Sequence, residues 1–201
     1  TSWGGNSLYS NDEYLNAGSA DMVSLGGWGS FSATQLTKKL SGIQASAAPS
    51  VSDRTEGLSG NCIKKDFETM LQLAYLCFTS PRRDNEVFQS TMARYRDALK
   101  NQDLNPQTAL QDSLISVLYN NNVRAKRVRV EDIEKISYDR IIDIYKERFA
   151  NAADFEFYLV GDLNADSVAP ILAKYLGALP VSKKMEKYNV IDRKLTKGEH
   201  T

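Results

Sequence analysis

The sequence has a single histidine, His200, and it stands second from the end. That scarcity excludes more chemistry than any other feature of the chain. A serine or cysteine nucleophile worked by an imidazole base needs an internal histidine, and there is none. Serines are plentiful, yet no Gly-x-Ser-x-Gly elbow occurs. A zinc site needs three or four converging His, Cys or carboxylate ligands. The two cysteines, Cys62 and Cys77, sit at a spacing that no zinc motif uses. They read as small hydrophobic residues, Cys62 in a strand and Cys77 on a helix. A bond between them stays open for an oxidising compartment.

Charge of one sign is also lacking. Lys plus Arg and Asp plus Glu number 25 each, so no net field draws the chain toward nucleic acid or an anionic membrane. No apolar run approaches the ~20 residues that cross a bilayer. There is no initiating Met and no signal peptide. Thr1-Ser2-Trp3 reads as an internal cut, which leaves the address of the parent protein open.

What is present is hydrophobic periodicity. Asn11 is placed to cap a short helix over 11–25, with Tyr14, Leu15, Met22, Val23 and Leu25 as its apolar positions. Gly26-Gly27-Trp28-Gly29 breaks it, and Ser32 caps a second helix through Leu40. Residues 43–51 and 55–63 read as two strands of a hairpin turned at Ser52-Asp53-Arg54. Phe67, Met70, Leu71, Ala74 and Phe78 then recur at helical spacing up to Pro81. Phe88, Met92, Tyr95 and Leu99 stripe a long helix over 84–101. Pro106 opens another, with Leu110, Leu114, Val117 and Leu118 expected to face inward. Val130 to Ile136 reads as a short helix, and Tyr138, Ile141, Ile142, Tyr145 and Phe149 stripe the next. Phe155, Phe157 and Leu159 alternate as a strand. Asn164 caps a last helix carrying Val168, Ile171, Leu172, Tyr175 and Leu176, and Tyr188 to Ile191 reads as a lone strand. The clustered rather than alternating elements predict an α+β architecture, with helices packed on one face of an antiparallel or mixed sheet.

Two local clusters invite function and have plainer readings. Gly26-Gly27-Trp28-Gly29 lacks the Gly-x-Gly-x-x-Gly or Walker lysine of a phosphate loop, so a helix stop is favoured. The basic run from Arg124 through Arg129 lies between two helices without interleaved aromatics, beside Glu131, Asp132 and Glu134. It reads as a solvated connection, with contact to another part of a larger protein second.

Three phrases in order carry a resemblance: Tyr145-Lys146-Glu147-Arg148-Phe149, Asp154-Phe155-Glu156-Phe157-Tyr158-Leu159-Val160-Gly161-Asp162, and Lys174-Tyr175-Leu176-Gly177-Ala178-Leu179-Pro180. Ser2-Trp3-Gly4-Gly5-Asn6 and Gly27-Trp28-Gly29-Ser30-Phe31 add to it. Together they resemble the pitrilysin/insulinase family of zinc metallopeptidases, and within it the non-catalytic C-terminal half. The resemblance implies a module of the mitochondrial-processing-peptidase/insulinase type over residues 1–180, the first subdomain of that half. Residues 181–201 would begin the connection onward. Active modules carry His-x-x-Glu-His after a Gly-x-Ala step on their first helix. Matching Gly18-Ser19-Ala20 to that step puts Asp21, Ser24 and Leu25 where His, Glu and His would stand. Counting back from Asn105-Pro106 puts Ala98 at the third, glutamate, ligand. The resemblance therefore implies no catalytic site and no metal in this module, with zinc in the catalytic half of the parent chain. The family's substrate-gripping Arg and Tyr pair is expected in a later segment. The implied partners are that catalytic half and a peptide substrate, enclosed between two halves. Apolar faces normally covered by the remainder would favour self-association of the isolated module. Resemblance to bacterial members makes the cell envelope, periplasm or a secreted location the expectation. The alternative is a stand-alone binding or assembly protein of the same fold, as in the core subunits of the respiratory bc1 complex.

Overall fold

The computed structural model describes residues 1–182, 185–191 and 193–198. The hairpin predicted from the sequence forms the centre of the sheet. Strand β2 (Ala45–Val51) pairs antiparallel with β3 (Thr55–Cys62), in register from Ala45 opposite Cys62 to Val51 opposite Glu56. Pro49 faces Leu58, a pairing at which β2 owes no N–H to the ladder. The short β1 (Ser2–Trp3) joins the other side of β3, opposite Glu56 and Thr55, giving the order β1-β3-β2.

Helix α1 (Tyr14–Gly18) and a 3-10 segment (Ala20–Gly26) replace the single helix expected over 11–25. The continuous helix fails because its polar residues have tertiary work. Asn11 is not its cap; the Asn11 side chain instead accepts from the Arg124 guanidinium at 2.8 Å. Asn16 is buried and accepts from the Ser137 N–H at 2.7 Å. The next helix, α2 (Ala33–Lys39), is capped as predicted. Ser32 and Gln35 exchange side-chain and backbone bonds in a capping box.

Helix α3 (Phe67–Thr79) packs its apolar stripe on β2 and β3. Helix α4 (Asn85–Asp103), with Phe88, Met92 and Leu99 buried, packs on the 3-10 segment. Helix α5 (Pro106–Leu118) follows, with Asn105 as its cap. Helix α6 (Val130–Ile133) is shorter than expected because Ser137 starts α7 (Tyr138–Arg148). Helix α8 (Ala165–Tyr175) lies on α3 with its stripe half-buried. The core gathers where α3 and α7 meet. Tyr145 is fully buried and donates its hydroxyl to the Cys77 carbonyl at 2.8 Å. Phe149 stacks on Tyr145 at 4.5 Å and meets Phe78 edge-on at 5.2 Å.

Three sequence expectations fail here. The α5 stripe does not face inward: Leu110, Leu114 and Val117 are 69, 56 and 44% exposed. The helix packs on α4, so its apolar face points to solvent. Phe155 to Val160 is not a paired strand, because only Glu156 finds a rung, exchanging two backbone bonds with Thr1. Tyr188 to Ile191 forms no strand either. It crosses the N-terminal loop, with Asn189 on Ser7 and the Tyr188 ring 5.2 Å from Trp3. His200 lies outside the described residues.

Both cysteines are free thiols, Cys77 buried and Cys62 half-buried. Burial pushes the Cys77 thiol up to about 12. An aromatic disulfide reagent at mildly alkaline pH is therefore expected to titrate Cys62 alone in the native protein. Cys77 should follow only on unfolding. Two equally fast thiols would contradict the buried position of Cys77.

Candidate functional site

Asp21, Ser24 and Leu25 lie on the 3-10 segment, which is packed between α4 and α7. Ala98 is on α4. The fold thus brings the two stretches singled out by the motif match into neighbouring elements. Their side chains make no ligand set. Asp21 is exposed, and Ser24 donates its hydroxyl to the Asp21 carbonyl at 2.8 Å. Leu25 is a half-buried hydrocarbon, and Ala98 is an exposed methyl. One carboxylate among these four does not fit a zinc centre, which needs three protein donors and a base to activate bound water. No group of three or more His, Cys, Asp or Glu side chains is placed to hold a metal among the described residues.

A cavity of about 320 Å3 opens beside this segment, reached by Gly18, Ser19 and Met22 on one side and Tyr95 of α4 on another. Arg124 forms its rim. The Arg124 guanidinium donates to Asn11 Oδ1 and to the Tyr9 and Ser10 carbonyls, and it lies 5.6 Å over the Tyr14 ring. Arg127 binds Asp103 and Asp112, the latter at 2.9 Å, and Arg129 binds Asp112 at 3.1 Å. The expectation of a solvated basic connection is corrected: Arg124, Arg127 and Arg129 are held by the protein's own acceptors. For Arg124 they are Asn11 and the Tyr9 and Ser10 carbonyls, and for Arg127 and Arg129 they are Asp103 and Asp112, none of them among the adjacent acids Glu131 and Glu134. The Arg127 and Arg129 guanidinium groups beside Asp112 hold its carboxyl below the usual carboxylate range.

Sequence reasoning passed over a second cluster. Arg148 of α7 is buried and sits 3.8 Å from Glu56 on β3, which is buried as well. It also binds Glu186 and donates to the Tyr9 hydroxyl at 3.1 Å. Tyr9 in turn donates to Glu147 at 2.6 Å. The second carboxylate oxygen of Glu56 accepts the Gly5 N–H at 2.6 Å. Gly4 and Gly5 let the loop come this close. Both have positive φ, and a Cβ at Gly4 would lie 2.8 Å from the Arg148 guanidinium. The only local signal was the Gly4-Gly5 pair; the partners come from opposite ends of the chain.

No family model matches the chain. The periplasmic protease PqqL from Escherichia coli superposes on 98% of it with a TM-score of 0.79, at 20% identity. A peptidase M16 inactive domain from Pseudomonas fluorescens covers 92% with a TM-score of 0.66, at 18% identity. The chain has the fold of an M16 peptidase module. This is the fold that the pitrilysin/insulinase resemblance implied. The ferredoxin protease FusC, solved in complex with Arabidopsis ferredoxin, shares the M16 module fold over 97% of the chain, with a TM-score of 0.77 and 16% identity. In sequence, 118 residues, 57% of the chain, are 24% identical to a zinc protease PQQL-like protein of Arabidopsis thaliana. The chain spans 12% of that plant protein and 21% each of PqqL and FusC, and 46% of the Pseudomonas inactive domain. Within the M16 module, helices pack on a small antiparallel sheet as the sequence predicted.

Proposed function

We propose that this chain is a non-catalytic module of an M16-type zinc metalloendopeptidase, and that it helps wall the chamber enclosing a peptide substrate. The observation that supports the reading is that, in this fold, the side chains at the positions matched to the metal motif make no ligand set. In this chain the elements bearing Asp21, Ser24, Leu25 and Ala98 are neighbours, yet they offer one carboxylate, one engaged hydroxyl and two hydrocarbons. Zinc then belongs to the catalytic half of the parent chain, which is the partner of this module. Residues 1–180 form the first subdomain of the passive half, and 181–201 lead toward the next. The solvent-facing Leu110, Leu114 and Val117 of α5 support contact with other parts of a larger protein.

The test is a paired measurement on the purified chain: metal content by mass spectrometry, and hydrolysis of an unstructured fluorogenic peptide. The expected result is no stoichiometric zinc and no turnover. Hydrolysis that a chelator abolishes and zinc restores would overturn the proposal.

A further inference from the structure

The chain as a whole is neutral; the cavity beside Gly18, Ser19 and Met22 is not. Three cations stand around it, Arg124, Lys126 and Arg193, against one carboxylate, Asp53. That carboxylate is already engaged. Its Oδ2 binds Arg193 at 2.8 Å, and its Oδ1 accepts from the Asn6 side-chain amide at 3.4 Å.

Arg124 differs from the other buried and half-buried arginines. Arg82, Arg96, Arg127, Arg140 and Arg148 each meet a carboxylate. Arg124 meets only neutral acceptors: Asn6, Asn11 and the Tyr9 and Ser10 carbonyls. These bonds fix the guanidinium in place and leave its charge uncancelled. Burial lowers Arg124 below the usual guanidinium range; Asp53 opposes that fall and Arg193 adds to it. Lys126 has no partner for its ammonium among the described residues. The remaining lining is largely apolar, with Leu15, Met22, Val128 and Ile136 beside the rings of Tyr14 and Tyr95.

A fixed cation, an unpaired ammonium and a hydrocarbon wall together suit a carboxylate on a short apolar stem. We propose that this cavity takes the acidic side chain of a peptide, glutamate above all, a proposal that rests on the reading of the chain as part of a peptide-enclosing chamber. Lys126 and Arg193 donate to the carboxylate. Arg124, its N–H groups engaged, supplies field rather than a bond. The methylenes of the glutamate lie against the apolar lining.

The test is an NMR titration of the chain at low salt. The probe is a short capped peptide of Gly and Ser around one Leu-Glu pair, compared with its Gln counterpart. Shifts are expected at the Gly18, Ser19 and Tyr95 amides with the Glu peptide. Its affinity should exceed that of the Gln peptide by about ten-fold or more and fall as salt is added. Lys126→Gln should weaken the Glu peptide by about ten-fold at an unchanged melting temperature, because the fold makes no use of that ammonium. Equal affinities for the two peptides, shifts confined to another part of the surface, or undiminished binding by Lys126→Gln would overturn the proposal. So would a Gln peptide with a free C-terminus that binds as well as the Glu peptide, since a chain end would then be the ligand. The two readings fail separately. Zinc-dependent turnover sinks the non-catalytic reading whatever the cavity binds, and equal affinities sink this one whatever the turnover.

Discussion

Phe149→Ala is expected to destabilise the protein by about 3–5 kcal/mol, measured as a shift in the urea midpoint at constant slope. Phe149 is 1% exposed. It fills the junction of Tyr145, Phe78 and Phe155, at ring distances of 4.5, 5.2 and 5.7 Å. Truncation removes the transfer free energy of the ring and leaves a void that helices α3 and α7 cannot close without breaking the Tyr145 bond to Cys77. Phe149→Leu keeps most of the volume and should cost under about 1.5 kcal/mol. Similar losses for Ala and Leu would show that shape and not volume governs this position.

Arg148→Met is expected to cost a comparable amount, about 3–5 kcal/mol, by a different route. The side chain volume is largely retained. What is lost is the positive charge that binds Glu186 and offsets buried Glu56, whose side chain is 2% exposed. Burial raises the Glu56 carboxyl, and the Gly5 N–H and Arg148 pull it back. Removing Arg148 leaves the first effect with less opposition. A carboxyl raised in the folded state contributes stability that is present below its unfolded value and is lost as pH rises through the folded value. The Arg148→Met deficit should therefore shrink as pH is lowered from neutrality and Glu56 takes up a proton. Adding Glu56→Gln to Arg148→Met should recover part of the loss at neutral pH and flatten its pH dependence. A deficit independent of pH, or a double variant no better than Arg148→Met, would show that packing and not charge holds this position.

The sequence made the helices with buried stripes legible: α3, α4 and α7 lie where Phe67 to Phe78, Phe88 to Leu99 and Tyr138 to Phe149 repeat at helical spacing. Ser32 and Asn164 marked the caps of α2 and α8 because a side-chain oxygen three residues before an orphan N–H is a local arrangement. Helix α5 shows the limit. Periodicity says that Leu110, Leu114 and Val117 share a face, and it is silent on whether anything covers that face. Phe155 to Leu159 alternates as a strand does, but a ladder needs a neighbour as well as a pattern. The positions of Asp21, Ser24, Leu25 and Ala98 could be drawn from motif matching alone. The Arg148–Glu56 cluster could not, since it joins a helix motif to a strand residue through a loop whose only local mark is Gly4-Gly5.

The hydroxyl of Tyr145 has a consequence beyond the bond it makes. Hydrophobic contact is non-directional, so two helices meeting through Phe, Leu and Ile can settle into several offsets of similar free energy. A phenol in the middle of such a contact can reach one carbonyl and no solvent. Any slide of α7 along α3 strands a buried donor and a buried acceptor together. Tyr145 is thus a locating pin: it adds little to the depth of the energy well and much to its narrowness. It selects one address on a surface that would otherwise allow sliding.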